Sequence, residues 1–157
     1  ETSPALSALT TAVSSQCNVP ISLITLLDEN TQWHKARLGV DQTSVPINQS
    51  FCVHAVEDNN TLCIPDALQD ERFRENPLVK ADPGIRAYAG VPIRLREGPP
   101  IGAICAISTS PKEWSDKDVA LLQSLSLAAS KNDACIRRSA NIDTPSVDAL
   151  ASAKHNA

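Results

Sequence analysis

Methionine is absent from the chain, the aromatic residues amount to two Trp, two Phe and one Tyr, and no apolar run approaches the length of a membrane span. Each scarcity excludes something. A bilayer-crossing helix needs about 20 consecutive apolar residues, so none is expected. Scattered aromatics and a net charge of −4 argue against a nucleic-acid surface, which carries a basic stripe and stacking platforms. The start, Glu1-Thr2-Ser3-Pro4, has neither the basic region nor the apolar core of a signal peptide, which points to the cytoplasm. A chain of 157 residues without methionine also reads as a piece of a longer protein. Cys17, Cys52, Cys63, Cys105 and Cys135 are single and odd in number, with no Cys-x-x-Cys pair, which suits a reducing compartment. Cys63 and Cys105 sit in apolar sequence and read as small core residues. Gly84, Gly90, Gly98 and Gly102 follow neither the phosphate-loop nor the dinucleotide-binding order.

What is present is organised around Ile85 to Ser108. Arg86 to Ile93 and Ile101 to Ile107 are two apolar runs separated by Glu97-Gly98-Pro99-Pro100, the pattern of a hairpin. Alternation places Ala87, Ala89, Val91 and Ile93 on one face and Arg86, Tyr88, Gly90 and Pro92 on the other. Both faces must be covered. Small Gly90 beside Tyr88 leaves room for a loop, a short helix or a ligand.

In chain order, Leu6, Leu9, Val13 and Cys17 recur at helical spacing, opened by Ser3-Pro4 and stopped by Asn18-Val19-Pro20. Residues 21–27 read as a buried strand and 32–38 as a second, with Trp33, Lys35 and Arg37 on one face and His34, Ala36 and Leu38 on the other. The alternating charge marks an edge strand, and Trp33 reads as a plug at the core or its rim. Residues 39–46 read as loop. Ser50 is placed to cap a short helix from Phe51 to Val56, and Thr61 to Ile64 read as a short strand. Asp66 and Asp70 are turn and cap residues, with Asn76-Pro77 ending the single turn that Asp70 begins. Ser115 and Asp118 form a capping-box variant opening a long helix to about Ile136 or Arg138, whose broad apolar face suits a sheet. The expected organisation is one domain, 1–138, followed by a polar tail or linker, 139–157. Antiparallel strands with helices segregated to one face make the class α+β.

Taken together, several of these motifs resemble the GAF domains, small sensory modules related in fold to PAS domains. The resemblance covers about Val19 to Ala129. It rests on Ile21 to Asp28, Gln32-Trp33, Gly39, Phe51-Cys52-Val53-His54-Ala55, Pro65-Asp66-Ala67, Asp70, Arg72-Phe73, Asn76-Pro77-Leu78-Val79, Gly84-Ile85-Arg86, Tyr88 to Pro92, Ile101-Gly102 and Ile104-Cys105. It implies a central antiparallel sheet of five or six strands, terminal helices on one face and a small-molecule pocket on the other. It also implies pairing as a homodimer through the terminal helices and an output domain such as a histidine kinase, cyclase or phosphodiesterase elsewhere in the protein. The motif of the cyclic-nucleotide-binding members is not found. Bilin-binding members carry a cysteine followed by histidine, whereas Val53 separates Cys52 from His54. Two residues apart on a helix they point about 200° from each other, which also makes them poor joint ligands for a metal.

The candidate ligand-binding residues are Phe51, His54, Arg86, Tyr88, Gly90 and Cys105, and no catalytic or metal residue is assigned. Arg86 can hold a carboxylate or phosphate bidentately and His54 can donate or accept with pH, so the implied ligand is small, partly apolar and anionic; whether a cofactor is bound is left open. Two alternatives stand beside a non-catalytic sensor. One is a ligand-free dimerisation or interaction module with a filled pocket. The other is a GAF-fold reductase of free methionine sulfoxide, for which Cys52, Cys63 and Cys105 would have to share one pocket region.

Overall fold

In the computed structural model, which describes residues 3–94 and 98–132, the hairpin at the centre of the sequence is also the centre of the sheet. Strands β1 (Ile21–Leu27), β2 (Thr31–Leu38), β3 (Ser44–Pro46), β4 (Leu62–Ile64), β5 (Ala87–Arg94) and β6 (Pro100–Ser108) form one six-stranded sheet in the order β3-β2-β1-β6-β5-β4. Every pairing is antiparallel. All residues of β6 but Ser108 are buried, as a strand covered on both faces requires.

One face is covered by two long helices, α1 (Pro4–Cys17) and α4 (Asp116–Lys131). Pro4 opens α1 at a position where its missing N–H costs nothing, and Asn18 ends it in the left-handed conformation, φ 55°. The Ser115 and Asp118 capping box opens α4 with both reciprocal bonds, 3.1 and 3.0 Å. Leu6, Val13, Ile24, Leu26, Ile93, Ile104 and Leu122 make the core between these helices and the sheet. The opposite face carries short pieces only: 3₁₀ turns at Ile47–Gln49 and Ala67–Gln69, α2 (Cys52–Asp58) and α3 (Pro77–Lys80). Under them lie Leu23, Phe51, Cys52, Phe73, Val79, Tyr88 and Cys105.

Several expectations change. β2 is not an edge strand, because residues 39–46 are not all loop: β3 pairs with Thr31 to Trp33 and takes the edge. His34 and Ala36 do not share a face. A β-bulge shifts the register so that Ala36 lies opposite Ile24 and His34 opposite Thr25, which leaves Lys35 as the extra residue and puts His34 on the short-helix side. Asn76-Pro77 starts a helix instead of only ending one: the Asn76 side chain accepts from Leu78 N–H at 2.8 Å with Pro77 at the first position. Cys63 is exposed on β4, the opposite edge strand, not a core residue. Trp33 is 41% exposed and donates its ring N–H to Asp28 Oδ2 at 2.7 Å, so it plugs nothing. The last turn expected for α4 and the tail 139–157 lie outside the described residues. Among the described residues no helix is long and apolar enough to cross a membrane.

Candidate functional site

The short-helix face gathers most of the residues the sequence singles out. Phe51 stacks on Phe73 with ring centroids 4.2 Å apart and 11° between planes, and lies 5.3 Å from Tyr88. His54 meets the edge of Phe73 at 4.9 Å. All three six-membered rings are buried. The room expected beside Gly90 is taken by Tyr88 itself: a Cβ on Gly90 would lie 2.2 Å from the phenol oxygen, so glycine is what lets the ring lie down along its own strand.

That phenol donates to Cys52 Sγ at 3.1 Å. Cys105, opposite Gly90 across the β5–β6 ladder, has its thiol in hydrogen-bonding contact with the same sulfur. The Thr25 hydroxyl lies alongside and donates to Ala103 O at 3.3 Å. The hydrogen bond with Cys105 lowers the Cys52 thiol pKa and correspondingly raises that of Cys105. Burial, with the Cys52 sulfur beside it, pushes the Tyr88 phenol up. Of these three groups the Tyr88 hydroxyl is a donor to the Cys52 sulfur.

A second polar chain, not anticipated from sequence, borders this cluster. Ser50 donates to Gln32 Oε1 at 2.5 Å, Gln32 Nε2 donates to His34 Nε2 at 3.1 Å, and His34 Nδ1 donates to the Gln42 carbonyl at 2.8 Å. Ser50 in turn accepts from Val53 N–H at 3.0 Å, which is the cap the sequence predicts for α2. Since a carbonyl can only accept, His34 carries a hydrogen on Nδ1, and with the Gln32 amide donating to Nε2 the ring is neutral. Its pKa is lowered by burial, with Arg37 adding a smaller push against the Gln42 bond. The signal was Gln32-x-His34 with Ser50 downstream, and the bulge that turns His34 inward hid it.

Arg86 stands apart from both chains. Its Nη1 donates to the carbonyls of Val79 and Ile85 at 2.8 and 3.0 Å, bracing the turn before β5, and it makes no carboxylate pair among the described residues. Asp66 and Asp70 are local caps: Asp66 accepts from Leu68 N–H at 3.1 Å and Asp70 from Arg72 N–H at 2.9 Å. Cys63 lies opposite Ala89, whose side chain belongs to the helical face, so it does not join Cys52 and Cys105. No group of three or more His, Cys, Asp or Glu side chains is gathered for a metal among the described residues.

The family model described as "GAF domain" matches residues 1–132. The chain belongs to the GAF domain family. The GAF domain of an Acinetobacter phosphoenolpyruvate-protein phosphotransferase shares the fold, with a TM-score of 0.68 and 20% identity over 87% of this chain and 84% of that one. So does the free methionine-R-sulfoxide reductase of Neisseria meningitidis, TM-score 0.67 and 17% identity over 85% of this chain and 78% of that one. Among characterised proteins, a cyclic di-GMP phosphodiesterase of Pseudomonas aeruginosa is 36% identical over 135 residues, 85% of this chain. This GAF domain spans 23% of that relative's length.

Proposed function

We propose that this GAF domain is a non-catalytic, cytoplasmic sensory module that takes a small, partly apolar, anionic molecule beneath its short-helix layer and passes the change through α4 to an output domain. The observation that supports it is the inequality of the two faces. Long helices lock one side of the sheet, while pieces of three to seven residues cover the other, α2, the Ala67–Gln69 turn and α3 each capped by a neighbouring side chain. A layer of that kind opens locally at less cost than the sheet below it. In this reading the half-buried Arg86 guanidinium would meet the anion and Phe51, Phe73 and Tyr88 the apolar part. The partly matching phosphodiesterase makes a cyclic di-GMP phosphodiesterase a reasonable output domain.

Native mass spectrometry of the freshly purified domain tests this. A molecule carried through purification, lost in Arg86→Ala with the fold intact, is the expected result. The stacked packing of Phe51 on Phe73 favours a second reading, a ligand-free interaction module, and no retained mass in either protein would support it. Pairing of two copies is expected along α4 around Leu127, which is 64% exposed, because Leu6 and Val13 are spent in the chain's own core. Light scattering should show a dimer that Leu127→Glu dissociates.

A further inference from the structure

We infer that Cys52 and Cys105 form a built oxidation site, two thiols held in contact under α2 that a peroxide converts to an intramolecular disulfide. The proposal does not rest on ligand binding, so either can fail alone. Three features place the sulfurs together. Cys52 is the first residue of α2, and Cys105 lies in the middle of β6 on the face that α2 covers. The absence of a side chain at Gly90, directly opposite Cys105, lets the Tyr88 hydroxyl approach Cys52 Sγ to 3.1 Å, so the phenol fixes that sulfur beside the second thiol. The Cys105 thiol is itself hydrogen-bonded to Cys52.

The chemistry balances with peroxide as the named oxidant. The Cys52 thiolate attacks one peroxide oxygen, giving a sulfenic acid and, with a proton, one water. The Cys105 sulfur then displaces hydroxide from the sulfenic sulfur, forming the S–S bond and a second water. The two thiols together lose two electrons and two protons, and the peroxide is reduced. Access requires the first turn of α2 to open, since Cys52 is buried and is the first residue of that helix, next to the Ser50 cap. The product would staple α2 to β6 and leave Tyr88, the chain's sole tyrosine, facing a disulfide sulfur.

The molecule carries its own control. Cys17 is as little exposed but lies in the helical-face core, and burial together with the Asp118 carboxylate raises its pKa to about 11. In a C63S C135S background, the folded protein is treated with hydrogen peroxide, quenched, unfolded and alkylated, and its peptides are mapped without reduction. The expected result is a Cys52–Cys105 linked peptide while Cys17 remains alkylatable, reversal by dithiothreitol, and an altered near-ultraviolet tyrosine signal. In a further C105S variant, dimedone should trap a sulfenic acid at Cys52. If that variant fails to fold, the map of the parent protein decides. Cys52 and Cys105 remaining free thiols, or being oxidised no faster than Cys17, would overturn the proposal, because oxidation would then follow global unfolding.

Discussion

The two faces of the sheet bury polar groups in different ways, and the difference separates the part of the molecule that holds its shape from the part suited to respond. On the helical face, Thr10 and Ser126 return their hydroxyl hydrogens to Ser7 and Gln123 of their own helices, and Asp118 accepts from the N–H of Ser115 at the cap of its own helix. The hydroxyl bonds stay within their own helices; beyond them, Asp118 also meets the Cys17 thiol of α1 and Lys112, and exposed Gln123 reaches the Thr61 hydroxyl beside β4 at 3.4 Å. On the short-helix face, Ser50, Gln32, His34 and Gln42 link α2, β2 and the segment before β3, and Tyr88 and Cys105 reach α2 through Cys52. The two long helices are held to the sheet mainly by apolar packing, which is insensitive to proton or electron chemistry. A layer tied by directional bonds to an imidazole and two thiols is sensitive to both.

The comparison can first be broken by cavities. Phe73→Ala on the short-helix side should cost about 3–5 kcal/mol and Leu122→Ala on the helical side about 2–5 kcal/mol, read by denaturant melts. The account expects Phe73→Ala to accelerate local exchange of α2 amides and Leu122→Ala to leave them near their starting rates. Ser50→Ala is next: it removes the α2 cap and leaves Gln32 Oε1 buried without a donor, a loss of about 1–3 kcal/mol. Gly90→Ala should cost a comparable 1–3 kcal/mol, roughly, by driving a methyl into the Tyr88 phenol. Tyr88→Phe in the same chain should recover part of that loss, a coupling that a double-mutant cycle would show.

The pH dependence has a defined sign. The folded pKa of His34 lies below its ordinary value of 6.5, so the folded state disfavours the proton. Its contribution is fully present above 6.5 and is lost as pH falls from there through the folded value, because a proton on Nε2 would confront the Gln32 amide with a second donor. Histidine titration by NMR should place His34 below the unfolded histidines, and His34→Gln should flatten the stability profile across that window. The smallest effect expected is Asp70→Ala. It removes the cap on Arg72 N–H and a surface pair, for a loss of about 1 kcal/mol with the short-helix core unmoved.

The hairpin of β5 and β6, both terminal helices and the capping box were legible because each is written in local periodicity or cap chemistry. Gly90 was legible as a place of close approach, but not what approaches: the ring of Tyr88 two residues away, invisible to alternation, which says which face a side chain takes and not how it lies. His34 was hidden for a sharper reason. Strict alternation pairs it with Ala36, and a single extra residue in β2 reverses that assignment, so the Gln32–His34–Ser50 chain depends on a bulge that no pattern of two can register. Cys63 misled because an apolar three-residue strand looks alike at an edge and in a core. Arg86 lies just before β5, and its use of the Val79 and Ile85 carbonyls depends on the turn folding back there, a tertiary fact.

Native-state hydrogen exchange, followed residue by residue at low denaturant, tests the central claim most directly. The account predicts that amides of α2 and α3 exchange through a local opening that denaturant scarcely affects, while α4 and the paired amides of β1 and β6 exchange only with global unfolding. Protection in α2 equal to that of α4, with the same denaturant dependence, would contradict it, for the two faces would then open as one.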